Sequence, residues 1–189
     1  MSGLPRLGIV TASTRPVRVG PAVAEWFEGR ARERGTFELE PIDLKQVALP
    51  LLDEEKHPRL GEYAYAHTKR WSSTVRGCDA FVFVTPEYNT SAPPSLVNAL
   101  DYLYKEWNHK PAAFVSYGGV SGGTRAVQAL KLMLCTLKMV PIAESVAVPY
   151  VTNHVHDGRF RSSDALDRAA DLLLDELRRY SDALLTLRQ

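Results

Sequence analysis

Strand-like and helix-like runs alternate along the whole 189-residue chain, and that alternation limits the fold more than any single motif does. Leu7 to Val10, Phe37 to Leu44, Asp79 to Thr85, Ala112 to Tyr117 and Ile142 to Val148 read as five strands. Asp79-Ala-Phe-Val-Phe-Val-Thr85 is apolar on both faces, as a central parallel strand must be when helices cover it twice. Phe37-Glu-Leu-Glu-Pro-Ile-Asp-Leu44 alternates, and Pro41 places it at an edge, where a missing backbone donor is tolerated. Between the strands, helical patterns run from Pro21 to about Arg34, Glu62 to Arg76, Pro94 to about Trp107 and Gly123 to Lys138. Ser163 to Leu187 closes the chain with Leu166, Ala170, Leu173, Leu177 and Leu184 on one stripe.

Such alternation predicts a doubly wound parallel sheet with helices on both faces. For five strands the common order is 2-1-3-4-5, and its switch point lies between the first and third strands. Ligands bind beyond the carboxyl ends of the strands there, so the loops after strands one, three and four are the ones to inspect. At 45% apolar content the chain fits one compact domain, residues 1–189. A net charge of +1 gives no basic stripe for nucleic acid. The N-terminal residues lack an apolar leader pattern and no run is long enough to cross a bilayer, so a cytoplasmic location is expected.

The first of those loops is Thr11-Ala-Ser-Thr-Arg-Pro-Val-Arg-Val-Gly20. Ser13, Thr14, Arg15 and Arg18 offer hydroxyls and guanidinium groups, and Gly20-Pro21 suits an N-cap followed by the first helical position. A helix start presents free N–H groups and the positive end of the macrodipole. Taken alone, this loop supports a phosphate cradle and a polar turn with two solvated arginines equally. The second loop, Thr85-Pro-Glu-Tyr-Asn-Thr-Ser-Ala-Pro-Pro94, is dense in turn formers, and the third, Ser116-Tyr-Gly-Gly-Val-Ser-Gly-Gly-Thr124, permits close backbone approach. Neither a dinucleotide fingerprint nor a Walker loop is present, which favours a terminal phosphate monoester on a mononucleotide with a broad planar ring.

Ser13-Thr-Arg-Pro-Val-Arg-Val-Gly20, Pro86-Glu-Tyr-Asn89 and Ser116-Tyr-Gly-Gly119 together resemble the three flavin-contacting segments of the NADPH-dependent FMN reductase family, over roughly residues 6 to 150. Ala12 departs from the family's usual glycine, and Gly20 stands where serine or asparagine is common, which removes one hydroxyl contact. The resemblance implies a flavodoxin-like fold and bound FMN, with NADPH or NADH as hydride donor and a small-molecule electron acceptor such as a flavin or quinone. It implies that Ser13, Thr14, Arg15, Arg18, Val19 and Gly20 surround the FMN phosphate. Pro86, Glu87, Tyr88 and Asn89 would line the ring, and Ser116, Tyr117, Gly118 and Gly119 would lie at its pyrimidine end. It further implies a homodimer or dimer of dimers, with the helix after Asn89 at the interface. A flavodoxin-like electron carrier and a flavin-bearing regulatory protein are the alternative readings.

Residue by residue, Arg15 is expected deeper in its turn than Arg18, and Glu87 to position structure rather than move protons. Cys78 and Cys135 read as small buried residues, and Trp71 and Trp107 as packing. Tyr102 and Tyr104 read as an aromatic helix face available to a partner subunit. His154 and His156 read as a polar loop, since no further ligand spacing accompanies them.

Overall fold

A computed structural model describes residues 3–188. The main elements are β1 (Arg6–Thr11), α1 (Gly20–Arg34), β2 (Glu38–Asp43), α2 (Leu44–Val47), α3 (Ala66–Arg76), β3 (Ala80–Pro86) and α4 (Pro94–Asp101). They continue with β4 (Pro111–Tyr117), α5 (Thr124–Thr136), β5 (Val140–Val148), β6 (Val155–His156), β7 (Arg159–Phe160) and α6 (Asp164–Leu184). β1 to β5 form one parallel sheet in the order β2-β1-β3-β4-β5, so the doubly wound, flavodoxin-like order expected from the alternation is the order observed. β2, with Pro41, lies at the edge.

The period of two along each strand separates two cores. Phe81, Phe83 and Phe114 point to one face, where they meet Trp71, Trp107, Leu96, Leu100 and Leu130 from the helical side. The Phe81 and Trp107 rings pack edge to face at 5.0 Å. Val82, Val84 and Val115 point to the other face, against Val23 and Phe27 of α1 and Leu173 and Leu177 of α6. With both faces covered, β3 and β4 are buried along their full lengths.

Several boundaries and placements differ from the sequence reading. α1 starts at Gly20 itself, with Val19 as N-cap and no side chain capping it. α3 starts at Ala66 because the Glu54 carboxylate accepts the Ala64 and Tyr65 N–H groups and keeps that stretch extended. α4 ends at Asp101 rather than near Trp107. Its last carbonyls are taken by buried indoles, Trp71 Nε1 donating to Ala99 and Trp107 Nε1 to Leu100, and the chain turns to bury Trp107 completely. Tyr102 is fully buried and its hydroxyl donates to Asp53, so it is not available to a partner subunit. Cys135 is exposed, because Leu130 and Leu134 take the inner face of α5; Cys78 is buried as expected.

Residues 155–160 form a hairpin where the polar sequence around His154 and His156 predicts a loop. Its turn holds Asp157 and Gly158 at φ 51° and 75°, the positive pair a two-residue hairpin turn demands. Phe160 seats the hairpin against Trp26 of α1, with ring centroids 5.0 Å apart. His154 and His156 donate to the carbonyls of Arg161 and Asn153.

Candidate functional site

The sheet register brings the three polar loops side by side. Thr11 of β1 pairs with Val84 of β3, and the Ala12 N–H donates to the Val84 carbonyl at 3.0 Å. Pro86 of β3 pairs with Tyr117 of β4, and the Glu87 N–H donates to the Tyr117 carbonyl at 3.1 Å. Beyond these carboxyl ends lies a crevice of about 340 Å³. Ser13, Arg15, Arg18 and Val19 line it from the first loop, Pro86, Glu87 and Tyr88 from the second, Tyr117 and Gly118 from the third. Val151 and Thr152, from the segment after β5, close one side.

Not every expected residue faces this space. Thr14 lines a separate hollow beside Lys45 and Ser95. Asn89 sits exposed at the tip of a tight turn in which Asn89 and Thr90 have φ of 50° and 65°, while Tyr88 and Ser91 exchange backbone hydrogen bonds of 2.9 and 3.0 Å. Ser116 is buried, its hydroxyl donating to the Gly122 carbonyl at 2.8 Å. The Gly118 N–H donates to the Val148 carbonyl, and the Gly119 carbonyl accepts from Tyr150. Ser116 and Gly119 shape the third loop from behind, while Gly118 itself lines the crevice. Its tightest point is Gly123, at φ 86°, where an added Cβ would lie 2.8 Å from the Ser116 Cβ.

The two arginines of the first loop exchange the roles expected of them. Arg18 is the enclosed one, with a side chain only 12% exposed that grips Asp43 through both terminal nitrogens. Arg15 is exposed at the rim and has no ion pair among the described residues. Depth along the turn gave the wrong order because Asp43, 25 positions away, captures Arg18.

Glu87 holds the second loop to α5. Its carboxylate accepts from Arg125 Nε at 2.7 Å, the Arg125 N–H at 3.1 Å and the Ser121 hydroxyl at 2.9 Å. Burial alone would push this carboxyl up, but the Arg125 and Ser121 hydrogen bonds outweigh it and hold the group below its usual range. A locked carboxylate of this kind positions the loop, as the sequence reading expected.

At the floor, the Tyr88 and Ser13 hydroxyls lie 2.7 Å apart. Beside them the Tyr117 hydroxyl is buried without a well-formed hydrogen bond among the described residues. It reaches the start of α1, where a Cβ on Gly20 would come within 2.6 Å of it, so glycine at that position makes room for the phenol. Burial pushes the Tyr117 phenol well above its ordinary range and neighbouring Tyr88 adds to this, with Arg18 and Ser13 acting in the opposite sense. The group therefore stays protonated and able to donate. A buried unpartnered hydroxyl is costly, and this one, unlike those of Thr36, Thr68 and Ser181, belongs to a residue that lines the crevice.

The crevice lies at the switch point of a doubly wound sheet, the place where proteins of flavodoxin-like architecture bind mononucleotides. The chain belongs to the NADPH-dependent FMN reductase family, whose sequence pattern matches residues 5–153. An NAD(P)H-dependent FMN reductase of Schizosaccharomyces pombe is 41% identical over 149 residues, covering 77% of this chain and 74% of its own. Its namesake in Saccharomyces cerevisiae is 40% identical over 146 residues, covering 71% and 75%. Among solved structures, the flavoenzyme NAD(P)H:(acceptor) oxidoreductase of Paracoccus denitrificans superposes with a TM-score of 0.74 at 22% identity. That match covers 95% of this chain and 98% of the other, a likeness of fold. Family membership makes the chain an oxidoreductase.

Proposed function

We propose that this single domain binds FMN in the crevice by its terminal phosphate and passes electrons from NADPH or NADH to a flavin, quinone or similar small acceptor. The observation that carries the reading is the convergence of Arg15, the unpartnered Tyr117 hydroxyl and Gly118 on one crevice from three separate loops. Bound FMN supplies the two-electron carrier chemistry that no side chain here provides.

The residues act by binding and orientation. Arg15 and the start of α1 meet the phosphate as charge and dipole. The Ser13, Tyr88 and Tyr117 hydroxyls supply neutral donors beneath it. Pro86, Glu87 and Gly118 fix the plane of the ring between the second and third loops, and Val17, Val151 and Thr152 shield it from water. Glu87, fully occupied by Arg125 and Ser121, moves no proton.

Steady-state oxidation of NADPH and of NADH by the FMN-loaded protein, against a panel of quinones, free flavins and azo dyes, tests this reading. Parallel double-reciprocal lines with at least one acceptor are expected, since donor and acceptor would occupy the same face in turn. Failure to oxidise either nicotinamide with every acceptor contradicts it.

A further inference from the structure

Arg18 is bound so fully inside the protein that its role differs from that of a phosphate ligand. One terminal nitrogen donates to the Ser13 carbonyl at 2.6 Å and to Asp43 Oδ1 at 2.6 Å; the other donates to Asp43 Oδ2 at 2.5 Å. The contact with Ser13 closes the first loop on itself across five residues. The pair with Asp43 fastens that closed loop to the sheet, because Asp43 ends β2 directly beside Thr11, the last residue of β1. Asp43 is itself fixed, its Oδ1 accepting the Lys45 N–H at 3.0 Å as the N-cap of α2. Hydrogen bonds from Arg18 hold the Asp43 carboxyl below the usual carboxylate range, against the effect of its burial.

We infer that Asp43 is a positioning residue for the phosphate end of the site: acting through Arg18, it sets the shape of the 12–19 loop and neutralises that guanidinium. Arg15 then remains the cation of the crevice lining without a carboxylate partner. The phosphate meets one free positive charge and a floor of neutral donors. This rests on the functional reading above and adds a residue outside the crevice lining to it.

The two roles open to Arg18 predict opposite signs. Asp43→Asn removes the ion pair yet keeps a side chain able to cap α2. If Arg18 serves as a clamp, the substitution loosens the loop, and FMN binding to the purified protein, followed by quenching of flavin fluorescence, weakens by about tenfold. Riboflavin, which lacks the phosphate, shifts by less than about twofold, a split that general loss of structure would not produce. Arg18→Lys, which cannot span the Ser13 carbonyl and both Asp43 oxygens, weakens FMN to a similar extent, and the double variant is no worse than either single one. Thermal melting of each variant confirms that it is folded, and Arg18→Lys carries the test if Asp43→Asn does not fold. Tighter or unchanged FMN binding by Asp43→Asn overturns the inference, and tighter binding makes Arg18 a phosphate ligand restrained by Asp43. Wild-type protein that binds no FMN overturns the functional reading and this inference together.

Discussion

Each end of the parallel sheet carries a polar hollow, and the two differ in what their charged groups are bound to. At the amino end a cavity of about 430 Å³ is lined by Arg76, Asp79, Glu106, Lys110 and Arg188 among others. Its charges are committed to the fold. Glu106 accepts from Ser72, Tyr63 and Arg76; Asp79 accepts from Arg188 and the Arg6 N–H; and Lys110 donates to the Val75 and Arg76 carbonyls that end α3. The Nε of Arg188 is the buried side-chain atom there that lacks a partner. At the carboxyl end the crevice is smaller, about 340 Å³, yet among the described residues Arg15 has no ion pair and the Tyr117 hydroxyl is unsatisfied. The contrast is one of charge: the carboxylates of the amino-end hollow are paired, whereas Arg15 at the carboxyl end has no ion pair among the described residues.

Substitutions at the two ends should separate cleanly into loss of stability and loss of binding. The largest effect is expected from Glu106→Ala, which strands three donors around a side chain only 1% exposed. Denaturant unfolding should show a loss of about 3–5 kcal/mol, while FMN affinity of the folded fraction stays unchanged. Altered FMN affinity would blur the division. Arg15→Ala should do the reverse, leaving the unfolding midpoint in place and weakening FMN by about 10- to 100-fold, as loss of a charge-assisted contact predicts.

Gly20 and Tyr117 sharpen the comparison at the floor of the crevice. Gly20→Ala pushes a methyl to 2.6 Å from the Tyr117 hydroxyl and should cost about 1–3 kcal/mol by overpacking. Tyr117→Phe in the same chain should recover most of that loss, and a melt that shows no recovery would place the strain elsewhere. Tyr117→Phe alone should leave stability level or slightly raised, because it deletes an orphaned group, and should weaken FMN by about three- to tenfold.

A pH effect is expected at the amino end. Burial pushes the Lys110 ammonium down to about 8 from an ordinary 10.5. Below pH 8 the folded state carries a charge it disfavours relative to the unfolded chain. Between pH 8 and 10.5 the unfolded chain binds more protons than the folded one, so this residue's contribution to stability rises with pH. The rise should be on the order of 1 kcal/mol or more and should vanish in Lys110→Met. Because that variant also loses two hydrogen bonds, the slope with pH is the informative quantity, and an unchanged slope would show that Lys110 is not the group responsible.

Sheet order and the position of the crevice are legible in the sequence because both follow from local patterns. A period of two in the strands, helical stripes between them and Pro41 at the edge leave few topologies open, and the switch-point rule then selects the loops. What escapes the sequence depends on partners distant along the chain. Nothing near Arg18 announces Asp43; only the parallel pairing of β1 with β2 brings them together. Tyr102 looks like an interface residue until Asp53 and the backbone of residues 50–51 enclose its hydroxyl. The end of α4 depends on Trp107 folding back to reach the Leu100 carbonyl. The 155–160 hairpin is a different case, since Asp157-Gly158 is a recognised turn signal that passes unnoticed between strands of only two residues each.

Titration of the wild-type protein with FMN and, separately, with riboflavin tests the central claim most directly, because the two ligands share a ring and differ at the phosphate. One FMN per chain, bound about 100-fold more tightly than riboflavin, is the predicted result. Equal affinity for the two would contradict it, since a crevice that grips the ring alone has no use for Arg15, the start of α1 or the spare Tyr117 hydroxyl.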